Sequence, residues 1–307
     1  MDEIWKQLKE MTIKTIFLLV LCSVFFNVIE GISYYVMARK YNHNFRYMQG
    51  LGCSYYCSFF KLATLGSGTV ISGMYYLSEY QVPASTSFGM ITINYICQKI
   101  AVVLLSVIGF ITFYPEMKRY YSAYFKFLIP GIIITIIVVI ALLAVCLWKK
   151  FHDFLLFLSG KLVKNQQIRA KFNDLRDKLI LVSSESRNIL NDKKELTELL
   201  LLNMIKFIGW YMIPCVVLGY SDIYHMFFLI SVSALSMSLI GVIPAPGAAG
   251  STEAMFYALF CLITLDSKAA AIMILYRFFT YFLPFLIGTV LIIARRGRKS
   301  VYSSTTF

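Results

Sequence analysis

The stretch Leu239–Phe260, "LIGVIPAPGAAGSTEAMFYALF", interrupts an apolar run with two prolines and three glycines and then places one glutamate. Pro244 and Pro246 cannot donate backbone amide protons, whereas Gly247 and Gly250 permit turns and close approach. Inside a bilayer, irregular backbone is stable only against protein or a wet cavity, because unpaired amides are costly there. The stretch therefore predicts a half-helix that begins within a membrane and points its N-terminus at a cavity.

Glu253 is predicted to lie in the first turn of this half-helix, with Ser251 or Thr252 as the cap. The positive end of the helix dipole favours a carboxylate at that place. One interpretation is that Glu253 merely completes the cap. The other is a role in substrate or proton handling, which we favour because intramembrane carboxylates are usually functional.

Composition indicates that the whole chain is a membrane protein. Of its 307 residues, 59% are hydrophobic and only 15% are charged, whereas soluble domains carry about 25% charged residues. Apolar runs of about 20 residues, the length that crosses the hydrocarbon core, recur along the chain. We predict one membrane domain over residues 1–307, an all-α polytopic protein with about 6–8 transmembrane helices.

The chain divides into a first half (1–148), a charged connector (149–198) and a second half (199–307). A short interfacial helix is predicted over 1–11 and a basic aromatic loop over 114–126. The predicted spans cover about 12–37, 48–65, 87–113, 127–148, 199–218, 223–242 and 269–294.

The connector differs from the rest of the chain because it holds 18 of the 45 charged residues. Its apolar residues follow the spacing of one helix face, which predicts an amphipathic connector; a regulatory or partner-binding role is the alternative. Its basic excess and the basic C-terminal "RRGRK" both indicate the cytoplasmic side. Three full spans between them would put them on opposite sides, so the segment 251–265 is predicted either to supply a crossing or to dip into the membrane and return. Because it has only about 15 residues, half-helices are favoured.

A second break lies in the first half, in the stretch "ATLGSGTVISGMYYLSEY" (63–80). Gly66 and Gly68 interrupt the apolar run near 64–74, as the second-half break does over 244–265. Paired interruptions at comparable places in two halves indicate a transporter binding site. An inverted repeat is a further hypothesis.

Among the charged residues inside or beside predicted spans are Glu30, Glu79, Lys99, Lys206 and Arg277. For Arg277 we favour pairing with Glu253 or bidentate binding of a phosphate over snorkelling. For the two lysines, snorkelling to the interface is favoured. The two glutamates are interpreted as residues near span ends.

With these residues in hand, the sequence resembles the lysylphosphatidylglycerol synthase transmembrane region family, also called the flippase-like domain. The stretch "PAPGAAGSTE" resembles its Pro-x-Pro-Gly-Gly-x-Gly-x-x-Glu signature, except that Ala248 replaces one glycine. The stretch "LYRFFTYFLPFLIG" looks like its last span, with Arg277 and Tyr281 in register. The first-half motif, Thr-Gly-Gly followed by a later Gln, is degraded here around Gly68, so a polar ligand there is expected to be lost.

The resemblance implies a domain that moves a lipid with a polar head, such as an aminoacylated or glycosylated lipid, between leaflets of the cell membrane. Its soluble aminoacyl-transfer domain is not in the sequence, so no synthase activity is expected from the chain alone. The candidate lipid-binding residues are Pro244, Pro246, Gly247, Gly250, Glu253, Arg277, Tyr281, Gly66, Gly68, Gln98 and Lys99.

Two alternatives remain open. The chain could be the membrane subunit of a phosphatidylglycerol lysyltransferase or glycosyltransferase system with a separately encoded catalytic partner, or a non-transporting scaffold. No cofactor, metal or nucleic-acid partner is expected, because the three histidines are scattered and the seven cysteines form no CxxC pair. A homo-oligomer is neither required nor excluded.

Overall fold

A computed structural model describes residues 11–147, 192–239 and 250–304, and the secondary structure within these ranges is helical. The described helices are α1 (Ile13–Arg39), α2 (Tyr47–Ala63), α3 (Thr69–Ser78), α4 (Ala84–Thr112), α5 (Tyr114–Tyr121), α6 (Phe125–Leu147), α7 (Lys193–Tyr211), α8 (Ile213–Leu218), α9 (Ile223–Leu239), α10 (Ser251–Phe260), α11 (Asp266–Arg277) and α12 (Leu283–Ser304). The predicted helix at 1–11 and most of the connector lie outside the described residues.

The described part of the chain has five helical stretches long and apolar enough to cross a membrane: Ile13–Arg39, Ala84–Thr112, Tyr114–Ala141, Lys193–Leu218 and Asp266–Arg295. Helix α9 is apolar but shorter, with 17 residues. The prediction of an all-α membrane protein is therefore confirmed.

The helices pack around two buried apolar clusters. The larger contains Leu235 and Phe256 and belongs mainly to the second half, and the smaller contains Met37 and Leu77 and belongs mainly to the first half. Polar side chains of α1, α4 and α7 meet within the same bundle, and they form part of the site described below.

The first break is present where it was predicted. Helix α2 ends at Ala63, and α3 starts at Thr69 after a turn in which Gly66 has a φ of 93°. The Thr64 hydroxyl closes the turn, accepting from the Gly68 amide at 2.7 Å and donating to the Phe60 carbonyl at 2.6 Å. Helix α3 has 10 residues, a length of about 15 Å, or half of the hydrocarbon core.

The second break also leads into a half-helix. Helix α10 has 10 residues and begins directly after Gly250, whose φ is 82°. The predicted Ser251 or Thr252 cap is wrong: both residues are buried in the first turn, and Gly250 holds the cap position. The position of Glu253 is confirmed, because its Oε2 accepts from the Gly250 amide at 2.8 Å.

The predicted basic aromatic loop at 114–126 is instead mostly helical. Helix α5 has Pro115 in its first turn, where a proline costs no hydrogen bond. Glu116 lies near its start and Arg119 near its end, which suits the helix dipole. The loop prediction was wrong because the polar, aromatic composition hid these start and stop signals.

The last span contains a π-helical turn, Phe278–Phe282, between α11 and α12. Such turns occur often at functional sites. The wider turn rotates the residues after it to a different side of the helix. Here the turn carries Tyr281, which is buried.

Contacts among four segments define one end of the bundle. Lys40, after α1, lies 2.8 Å from Asp192 and 2.6 Å from Glu195 at the start of α7. The hydrogen bond from Lys40 lowers the pKa of the Asp192 carboxyl. Tyr80 accepts a bond from Asn42 through its carbonyl, and its hydroxyl accepts from Arg295 at 3.3 Å. The end of the connector and the start of "RRGRK" therefore lie at the same end, and its cytoplasmic location stays a prediction.

Helices α1 and α2 cross at two glycines. A Cβ added at Gly50 would collide with the Gly31 carbonyl oxygen and lie 3.1 Å from the Tyr35 nitrogen. Gly50→Val is therefore expected to lower the free energy of unfolding by about 1–3 kcal/mol, the usual cost of overpacking. Thermal unfolding of the purified protein in detergent measures this. The exposed Ala141→Val should leave the midpoint unchanged, and equal midpoints for both variants would contradict the close crossing.

Candidate functional site

A buried ion pair joins α1 to α7. Lys206 is fully buried and its Nζ contacts Oε2 of Glu30, whose side chain is only 10% exposed. The sequence interpretations of both residues were wrong: Lys206 does not snorkel, and Glu30 lies well inside its helix. Both face the bundle interior, where a lone charge would be very costly and a paired one is tolerated.

Amide side chains complete the shell of the Glu30 carboxylate. Its Oε1 accepts from Asn94 Nδ2 at 3.0 Å and from Gln98 Nε2 at 3.3 Å. Asn203 Nδ2 donates to Asn94 Oδ1 at 3.1 Å. Gln98 was a sequence candidate, whereas Asn94 and Asn203 were missed. The spacing of Asn94 four residues before Gln98, on one helix face, is the signal that could have found it.

A cavity of about 400 Å³ opens beside this carboxylate. The first break supplies part of its wall through Gly66 and Thr69, and Lys61 at the end of α2 also lines it. On the same helix, Ser54 and Ser58 donate to Asn27 Oδ1 at 3.2 and 3.3 Å. The first break thus borders a cavity with both polar and charged walls, while Gly68 packs against Thr64 in the turn.

A second ion pair lies at the start of the half-helix. Arg277 Nε is 3.2 Å from Glu253 Oε1, with side chains 11% and 28% exposed. Pairing is one of the two roles considered for Arg277, and binding of a phosphate stays a prediction. The Glu253 side chain is therefore only partly buried, and Gly250 beside it is exposed.

Tyr281 connects the two halves of the site. Its ring contacts two cations, with the Arg277 guanidinium carbon 3.7 Å and Lys61 Nζ 4.5 Å from the ring centre. Cations are held over aromatic faces by the ring quadrupole. A continuous line of charged and aromatic groups therefore runs from Glu253 through Arg277, Tyr281 and Lys61 to the cavity. Lys61 was missed in the sequence, where it is an ordinary basic residue at a helix end.

Other sequence candidates are less central. Lys99 is half-buried with its Nζ 5.3 Å from the Tyr95 ring, and Tyr95 lines the cavity. Pro244, Pro246 and Gly247 lie outside the described residues. Among the residues that the structure describes, no group of three or more His, Cys, Asp or Glu could hold a metal ion.

Comparison with known proteins identifies the family. The family model described as "Lysylphosphatidylglycerol synthase TM region" matches residues 1–288. No curated protein is matched by the sequence. The matched region contains both breaks, both ion pairs and Tyr281. The chain belongs to the lysylphosphatidylglycerol synthase TM region family.

Proposed function

We propose that this protein moves a polar-headed phospholipid between the two leaflets. The observation that carries the proposal is Tyr281, whose ring contacts both Lys61, beside the first break, and Arg277, which pairs with Glu253 beside the second. Half-helices that meet around polar groups within a bilayer are typical of transporter sites.

The charges along this line match the parts of a lipid head. Lys61 and Arg277 offer cations to a phosphate, and Arg277 can present two donors to it. Glu253 offers a carboxylate to an amine, as an aminoacylated head would carry, and Tyr281 offers a ring face. A cavity of about 400 Å³ has room for such a head while the acyl chains stay in the bilayer.

The Glu30–Lys206 pair is proposed to keep the cavity wall hydrated and rigid. Its amide shell fixes the carboxylate on one side, and the other side borders the cavity. Fixed dipoles and charges on this wall reduce the cost of moving a polar head away from water.

We propose that the bundle end with Lys40, Asp192 and Arg295 faces the cytoplasm. The connector, whose last residues reach this end, and "RRGRK" are rich in basic residues in the sequence, which matches the excess of Lys and Arg in cytoplasmic loops. Labelling of single cysteines placed at 193 and at 222, in sealed vesicles, would test this orientation. Opposite accessibility is expected, because α7 and α8 lie between them.

Leaflet exchange in liposomes tests the transport proposal. Purified full-length protein is reconstituted with a trace of fluorescently labelled phospholipid, and a membrane-impermeant reagent quenches the outer leaflet. Wild type is expected to expose the inner-leaflet label, and Glu116→Gln, on α5 beside Tyr224, should behave as wild type. Exchange no faster than in empty liposomes, for neutral, anionic and aminoacylated lipids alike, would exclude transport.

A further inference from the structure

We propose a second lipid site on this protein, one that holds a phospholipid whose head carries both a phosphate and an ammonium group. It lies between α2, α3 and the middle of α12, at the Glu79–Arg295 pair. It is separate from the proposed transport line and does not depend on that function.

The site is a cavity of about 550 Å³ with aromatic walls. Tyr56 and Phe60 of α2, Tyr75 of α3 and the pair Glu79 and Arg295 line it. A smaller cavity of about 240 Å³ adjoins it, sharing Tyr56 and Arg295. Pockets of this size and composition, apolar with a few convergent polar groups, are typical of ligand sites.

The polar groups present two opposite charges side by side. Arg295 contacts the Glu79 carboxylate, its guanidinium carbon lies 4.1 Å above the Tyr76 ring, and Tyr80 accepts from it at 3.3 Å. The side chains of Arg295 and Glu79 remain 27% and 20% exposed, so a ligand can reach them.

A head with two charges complements this arrangement better than an anionic head does. Its phosphate can bind the guanidinium fork of Arg295, and its ammonium can bind Glu79 and the face of Tyr75. A purely anionic head would satisfy Arg295 but place a like charge beside Glu79, which is unfavourable in a weakly screened site.

The surroundings indicate a lipid and not a soluble ligand. Apolar side chains of the same helices face outwards: Ile293, which lines the cavity, is 65% exposed, and Ile71 on α3 and Val290 on α12 are 69% and 66% exposed. Arg295 opens the basic run "RRGRK" directly after the apolar residues of α12, so it lies near the edge of the hydrocarbon core. Tyrosines are enriched at that depth. Acyl chains can therefore run along α3 and α12 while the head rests on Arg295.

Helices α2 and α12, which form two walls of the cavity, pack closely against each other. A Cβ at Gly288 would lie 2.5 Å from the Tyr55 carbonyl oxygen, and the rings of Phe59 and Phe285 stack at 5.0 Å. The opposite face of α2 carries Ser54, Ser58 and Lys61 into the transport cavity. The two sites therefore use different faces of one helix.

Native mass spectrometry of the full chain in detergent tests the proposal with phosphatidylethanolamine and phosphatidylglycerol of identical acyl chains. Wild type is expected to bind phosphatidylethanolamine about tenfold more tightly, because only that head engages both charges. Glu79→Gln should remove most of this preference, and Asp222→Asn, at the other end of the bundle, should retain it.

The wild-type comparison needs no variant, so misfolding cannot hide the answer. Equal affinity of wild type for the two lipids would overturn the proposal, as would full preference retained in both Glu79→Gln and Arg295→Gln. Soluble phosphoethanolamine is expected not to compete at equal concentration. Competition as strong as that of the lipid would overturn the assignment of the groove to acyl chains.

Discussion

Lys206→Met is expected to lower the free energy of unfolding by about 3–5 kcal/mol, because it leaves the Glu30 carboxylate buried without its cation. Methionine fills a similar volume, so little of this loss would come from a cavity. Asn94 and Gln98 still donate to the carboxylate, but two neutral amides do not replace a buried ammonium. The effect is measured as the thermal midpoint in detergent, which is obtained from the loss of monodisperse protein on heating.

The double variant Glu30→Gln/Lys206→Met is expected to recover most of that stability. Replacing a whole buried ion pair is often nearly neutral, unlike removing one partner. Glutamine keeps an oxygen for Asn94, so that amide stays bonded. Lys14→Met, on the exposed face of the same bundle, is the matched control and should leave the midpoint unchanged. A midpoint for Lys206→Met equal to that of Lys14→Met would show that the pair contributes nothing to stability.

The two breaks could be predicted from sequence because the chemistry that interrupts a helix is local. Gly66 and Gly250 have positive φ, and the missing amide protons of Pro244 and Pro246 are properties of single residues. The half-helix at Glu253 follows from the same reasoning. Its cap was mispredicted because Gly250 can occupy a conformation that needs no side-chain bond from Ser251.

The Glu30–Lys206 pair could not be predicted from sequence, because its members are 176 positions apart. Their contact depends on how α1 packs against α7, which apolar periodicity does not specify because neither helix has a single distinct apolar face. The same holds for Lys61 and Tyr281, which meet only because a π-helical turn and a helix end lie side by side. The polar contacts between residues far apart in the sequence are therefore the part of this site that only the three-dimensional structure reveals.

Arg277→Ala and Glu253→Gln are each expected to slow leaflet exchange by about tenfold or more. Hydrogen bonds to charged groups contribute about 1.5–3 kcal/mol, and each 1.4 kcal/mol corresponds to a factor of ten in rate. Arg277 contacts both Glu253 and Tyr281, so its removal breaks the line at its centre. The liposome assay with labelled lipid measures the rates, and the thermal midpoint of each variant shows whether it is folded.

Graded variants separate a role in transport from one in folding. Arg277→Lys keeps the charge but loses the planar fork, so an intermediate rate is expected. Tyr281→Phe keeps the ring face that contacts Lys61 and Arg277 and should exchange at close to the wild-type rate. Tyr281→Leu removes both cation–ring contacts and should resemble Arg277→Ala. Arg119→Ala, an exposed arginine on α5, is the matched control. If folded Arg277→Ala, Glu253→Gln and Tyr281→Leu all exchange lipid as fast as Arg119→Ala, then the head group does not cross along this line and the path must be sought elsewhere in the bundle.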